Sequence, residues 1–144
     1  MLHYPASEYI LGIRMIAYHN ISFLDSPASP CSHVAATDDL ICVSGLTAAD
    51  SAEGRKAKGK IAGEARVVMD QLSAVLRARG SSMAEVIRVD IHLIALKDLK
   101  VVDRIYARYF APGRFPARTC VEVRRLYGGS RIEVTAMARR SKPA

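Results

Sequence analysis

Cysteine is scarce in this chain and scattered along it. Cys31, Cys42 and Cys120 form no CxxC or CxxH spacing, so no zinc or other metal site is expected. Their odd number and wide separation argue against a disulfide framework and fit a reducing, cytoplasmic setting. No stretch approaches the roughly 20 consecutive apolar residues of a membrane span. The apolar run at 9–18 is interrupted by Arg14 and followed by no small-residue cleavage pattern, so no signal peptide is expected. Acidic residues are outnumbered: 14 Asp and Glu against 21 Lys and Arg leave a net charge of +7. That balance favours acidic ligands or polyanions and says nothing about fold. Nucleic acid is nevertheless a disfavoured partner. The basic cluster Arg55, Lys56, Lys58 and Lys60 lacks interleaved aromatics, and the four histidines offer no pair for phosphodiester cleavage. No internal repeat is legible.

What the chain does have is 144 residues, half of them apolar, enough for one compact domain. Its most informative stretch runs from Phe115 to Met137. Two β-rich runs, Ala117–Leu126 and Arg131–Arg139, flank Tyr127-Gly128-Gly129-Ser130. A Gly-Gly pair between alternating runs predicts a tight hairpin, because both central residues of a type I′ turn need positive φ. In that register Val123 faces Val134 and Val121 faces Ala136. Thr119, Val121, Val123, Ile132, Val134 and Ala136 then share an apolar face. Arg118, Cys120, Glu122, Arg124, Arg131, Glu133, Thr135 and Met137 share the other.

Upstream, 14–20 alternates loosely as a first strand, and Asp25–Pro30 is a turn-forming break. Val34–Asp39 and Leu40–Gly45 predict a second hairpin turning at Asp38-Asp39, its second arm apolar enough to be buried on both faces. Thr47–Gly59 reads as a polar, mobile loop. Ile61, Ala65, Val68, Leu72 and Val75 form a helical stripe ending near Arg79, with Gly80 as the C′ residue. Ser82-x-x-Glu85 is a capping-box pattern. Val86–Leu96 alternates as a strand, and Asp98 caps a second helix reaching about Ala111. The order β–β–α–β–α–β–β predicts an α+β domain, a single mixed sheet with both long helices on one face.

Pro116-Ala117-Arg118-Thr119-Cys120, followed by Ile132-Glu133-Val134-x-Ala136-x-Ala138, resembles the C-terminal signature of the RidA (YjgF) family. Pro30-Cys31-Ser32-His33, leading to a strand ending in Ser44-Gly45, resembles that family's N-terminal portion. The likeness runs from about Pro30 to Arg139. It implies residues 25–144 as the family domain and 1–24 as an extension, and a chorismate-mutase-like homotrimer with sites at subunit interfaces. It also implies hydrolysis of reactive 2-imino or enamine acids to 2-oxo acids and ammonia, with no cofactor.

By the same resemblance Arg118 grips the substrate carboxylate and Glu133 assists the attack of water. Ser44, Gly45 and the backbone at Cys120 surround the rest of the substrate, near Cys31 and Asp103. Three departures stand out: Cys31 where a tyrosine is common, Leu46 in place of glutamine, and Asp103 where many members carry asparagine. Cys31 and Leu46 favour the alternative of a non-catalytic carboxylate binder or regulator. Endoribonuclease activity is a third, weaker alternative. For Arg118 the plainer role is an interface salt bridge, and for Glu133 a cross-strand pair with Arg124. In the hairpin register Arg118 and Glu133 stand roughly 20 Å apart, at about 3.3 Å per residue. Either a bulge breaks the register or the two act from different subunits, and the second is preferred.

Overall fold

The computed structural model describes residues 9–10 and 13–141. The part of the N-terminal extension at 1–8 and 11–12 lies outside them. Tyr9–Ile10 (β1) and Ile13–Arg14 (β2) form a small antiparallel pair apart from the main sheet. Among the described residues the main sheet has six strands: β3 (Ala17–His19), β4 (Val34–Ala36), β5 (Leu40–Leu46), β6 (Val86–Leu93), β7 (Ala117–Glu122) and β8 (Ile132–Arg139). Their order is β3-β4-β5-β8-β6-β7, and only β6 and β7 run parallel. The short helix α1 (Ala52–Arg55) precedes α2 (Ile61–Ala78), and α3 is Leu99–Tyr106. Among the described residues no helix is long and apolar enough to cross a membrane.

The single mixed sheet with helices on one face is as expected. Ala65, Val68, Leu72 and Val75 of α2 are buried, as the stripe requires, against Ile41, Val43, Val89, Ile91, Val134 and Ala136 of the sheet. The Val34–Gly45 hairpin forms, with Leu40 N–H donating to Thr37 Oγ1 at 3.1 Å across its turn. Its second strand is buried on one face only, since Cys42 is exposed.

The hairpin expected across Tyr127–Ser130 does not form. Gly128 and Gly129 do take positive φ, 62° and 67°, but in a tight helical turn outside the sheet. That turn packs so closely on Ala49 that a Cβ on Gly128 would lie 2.4 Å from the Ala49 Cβ. β7 and β8 are not neighbours, because β6 lies between them. The sorting follows polarity. β8 buries Ile132, Val134, Ala136 and Ala138 and takes a central place, while β7, with Thr119 and Val121 exposed, becomes an edge.

The expected sharing of faces falls with the hairpin. Arg118 and Cys120 pair with Val89 and Ile91, which are buried under the helices, so they point to the helix side. Glu133 pairs with His92 and points to the open side. The Glu133–Arg124 pairing is likewise overturned.

The segment after Thr47 is tied down rather than mobile. Thr47 and Asp50 form a capping box, and Ser51 Oγ donates to Gln71 Oε1 of α2 at 2.8 Å. Glu64, in the first turn of α2, has no exposed surface. Its Oε2 accepts the Gly59 N–H at 2.8 Å and its Oε1 accepts the Arg131 N–H at 2.9 Å, so one carboxylate joins loop, helix and the start of β8. Two expected caps are used otherwise. Asp98 accepts from Arg131 Nη2 at 2.9 Å, and Glu85 from Arg139 Nε at 2.6 Å. The latter hydrogen bond holds the Glu85 carboxyl below its usual range.

Candidate active site

The chemistry-bearing residues fall into two groups. The first is at the β7 edge. The residue before a proline avoids helical backbone, so Phe115-Pro116 brings the loop that follows α3 into an extended strand. The parallel register with β6 then turns Arg118 under α3. There its Nη1 donates to Asp103 Oδ1 at 2.8 Å, and its guanidinium carbon stands 4.9 Å from the centre of the Tyr106 ring. The ring in turn packs on Phe110, 4.8 Å between centroids. Thus the fork is oriented before any ligand arrives. Asp103, Tyr106, Ala107, Phe115, Pro116 and Arg118 line an open cleft of about 330 Å³.

Tyr106 is only 4% exposed, and among the described residues its hydroxyl has no hydrogen-bond partner. Burial pushes its pKa up to about 12, with Arg118 opposing and Asp103 adding. The Cys120 thiol is also pushed up, by burial first, with Arg118 lowering and Asp103 raising it. A half-buried thiol held protonated is a poor nucleophile.

The second group lies on the open face. A register shift in β5 between Val43 and Leu46 brings Gly45 beside Glu133. A Cβ there would lie 2.7 Å from Glu133 Cδ, so glycine is what leaves the carboxylate room. Glu133 Oε1 is 3.1 Å from His92 Nδ1 on the neighbouring strand. Glu133, Gly45, Ser44, Cys31, His33 and Tyr127, with loop 25–29, wall a cavity of about 320 Å³. Ser44 Oγ donates to Ser32 O at 2.6 Å. His33 is spoken for: its Nδ1 accepts the Ile21 N–H at 2.8 Å, which leaves Nε2 to donate to Asp25 O at 3.0 Å.

Cys31 and Ser44 also face a recess of about 470 Å³ that contains Tyr18 and Cys42. Leu46, where the resemblance implies a glutamine, packs in the core opposite Val134.

Within one chain, then, Arg118, Asp103 and Cys120 come together, as do Glu133, Gly45, Ser44 and Cys31. The sheet separates the two groups. Two contributors escaped the sequence analysis. The sequence marks Tyr106 only as part of a helix stripe, and His92 only as a polar-face or turn residue. The alternation of β6 did mark His92 as facing away from the core, but its partner strand was hidden by the expected hairpin.

The family model described as Endoribonuclease L-PSP matches residues 24–140. A RutC family protein of Pyrococcus horikoshii is 33% identical over 112 residues, spanning 78% of this chain and 88% of that protein. Human 2-iminobutanoate/2-iminopropanoate deaminase is 33% identical over 109 residues, 76% of this chain and 79% of that one. Among solved structures, a Thermotoga maritima protein superposes with a TM-score of 0.80 at 26% identity, covering 89% of this chain and all of its own. The signature around Arg118 and Glu133, the sheet order and these relatives agree: the chain belongs to the Endoribonuclease L-PSP family, the family of YjgF and RidA.

Proposed function

We propose that this protein hydrolyses 2-imino and enamine acids to 2-oxo acids and ammonia, without a cofactor, at sites assembled between the subunits of a homotrimer. The observation that carries this reading is the preset Arg118 fork. Its planar guanidinium, held by Asp103 and the Tyr106 ring, suits a carboxylate through two parallel hydrogen bonds. The relatives named as deaminases support the same substrate class.

With the carboxylate on Arg118 and the imine carbon near the Cys120 backbone, Glu133 from a neighbouring chain takes a proton from water as its oxygen adds to the C=N carbon. Glu133 returns that proton to the nitrogen to give the carbinolamine. It then carries the hydroxyl proton to the nitrogen as the C–N bond breaks, so the 2-oxo acid and ammonia leave with both water protons accounted for. An enamine enters the same path after proton transfer to carbon. Imine hydrolysis is intrinsically facile, so positioning and one acid–base group suffice.

Since Arg118 and Glu133 lie on opposite sides of the sheet in one chain, a second copy is needed to bring them together. Mixing Arg118→Ala with Glu133→Ala subunits should restore activity toward enzymatically generated 2-iminobutanoate in mixed trimers confirmed by mass. Mixed trimers as inactive as either parent would defeat the shared site. Absence of any acceleration by the wild type would favour a non-catalytic binder. Against that alternative, Tyr18 brings an exposed phenol to the recess that Cys31 lines, where a tyrosine at position 31 would otherwise supply one. The endoribonuclease alternative gains nothing from the described histidines, since His33 is structural, His92 faces Glu133 and His19 contacts Arg79.

A further inference from the structure

Glu133 has a partner that the proposed chemistry does not use. β6 and β8 place His92 directly opposite Glu133, and Nδ1 lies 3.1 Å from Oε1. An ionised carboxylate only accepts, so the hydrogen bond requires the proton on Nδ1. The surroundings leave the pair to each other. On β7 the residue beside His92 is Val121, and on β5 the neighbour of Glu133 is Gly45. The nearby charges are engaged elsewhere: Asp90 with Arg88, and Arg131 with Asp98. Among the described residues Glu133 has no second ion-pair partner. Held through Oε1, the carboxylate keeps Oε2 on the side of Gly45, which lines the cavity.

We propose that His92 is a positioning residue for Glu133: its Nδ1–H fixes Oε1, and the Gly45 notch fixes where Oε2 meets the attacking water. A free glutamate side chain samples several rotamers, and each misdirected one leaves the water unactivated. The inference rests on the deaminase reading for the role of Glu133, but its geometric half stands without turnover. A cross-strand pair that only stabilises the sheet would alter melting and leave the rate alone.

The test uses His92→Phe and His92→Asn in the full chain. The asparagine amide nitrogen can stand where Nδ1 stands, while phenylalanine fills the space and donates nothing. His92→Phe is expected to lower kcat about tenfold with KM within twofold, and His92→Asn to recover most of that loss. Unchanged kcat in His92→Phe, or an equal loss in both variants, overturns the proposal. Independently, nitrogen NMR of the ¹⁵N-labelled wild-type ring should show the proton on Nδ1, and Glu133→Ala should shift that signal. A neutral ring bare at Nδ1 overturns the proposal as well. A wild type without turnover but with a protonated, Glu133-sensitive Nδ1 would refute the deaminase reading and leave His92 as the anchor of this carboxylate.

Discussion

Asp103→Asn separates a carboxylate site from a structural salt bridge. In the wild type Asp103 occupies one arm of the Arg118 fork, Nη1 to Oδ1 at 2.8 Å, and a ligand carboxylate must share the guanidinium with it. The pair is partly solvated, with side chains 26% and 46% exposed for Arg118 and Asp103, so the interaction surrendered is worth about 0.2–1 kcal/mol. Two carboxylates about 5 Å apart on one guanidinium also repel by roughly 0.8 kcal/mol at the dielectric of water and by about 3 kcal/mol at an effective value near 20. Partial exposure favours the lower figure. Asparagine removes the charge and can still accept from Nη1, so the fork stays oriented.

The net expectation is about 1.4 kcal/mol, or tenfold tighter binding of 2-oxobutanoate by calorimetric titration. The gain should shrink between low and high salt, because the groups are partly exposed. The dicarboxylate 2-oxoglutarate should gain at least as much, as the negative charge that repels it is removed. Affinity unchanged within twofold, or weaker, would show that ligands do not bind at Arg118.

Three further variants examine the rest of the site. Arg118→Lys should keep the fold and melting temperature but weaken 2-oxobutanoate binding more than tenfold, since a point charge replaces a planar fork; normal affinity would refute the assignment. Cys120→Ser should retain activity within a few-fold, because burial keeps the thiol protonated at neutral pH; a hundredfold loss in a folded variant would make the sulfur a participant. Gly45→Ala should melt near the wild-type temperature, as the residue has no positive φ, yet lose kcat about tenfold as the new methyl displaces the Glu133 carboxylate; full activity would show that Glu133 does not need that position.

Local periodicity carried much of the fold. The stripe of α2 and the alternation of β6 were legible because each is decided by residues a few positions apart. The Gly128–Gly129 turn misled for the same reason. Its glycines have the backbone that a hairpin turn demands, and nothing local reveals that β6 outcompetes β7 for the flank of β8. The face of Arg118 was lost with it, since Thr119 and Val121 look more suited to a core than they are at an exposed edge. Arg118, Glu133 and Gly45 were legible through resemblance. Asp103 was placed near the site in the same way. Tyr106 and His92 were not: Tyr106 meets Arg118 from α3, and His92 meets Glu133 across a strand pairing set by the whole sheet.

Of the six strands of the main sheet β8 comes last in the chain, yet it sits in the middle, between β5 and β6. Until residues 132–139 leave the ribosome, the nascent chain holds two unfinished half-sheets, β3-β4-β5 and β6-β7. Each presents an open strand edge where β8 belongs, and such edges invite pairing with other chains. Burial of Val134 and Ala136 must await contacts with residues some ninety positions earlier, a separation that slows closure. Loss of the C-terminal strand therefore divides the sheet rather than trimming it. Vectorial synthesis exposes this fold to misassembly just before the sheet is closed by β8, the stage at which chaperones would have the most to protect.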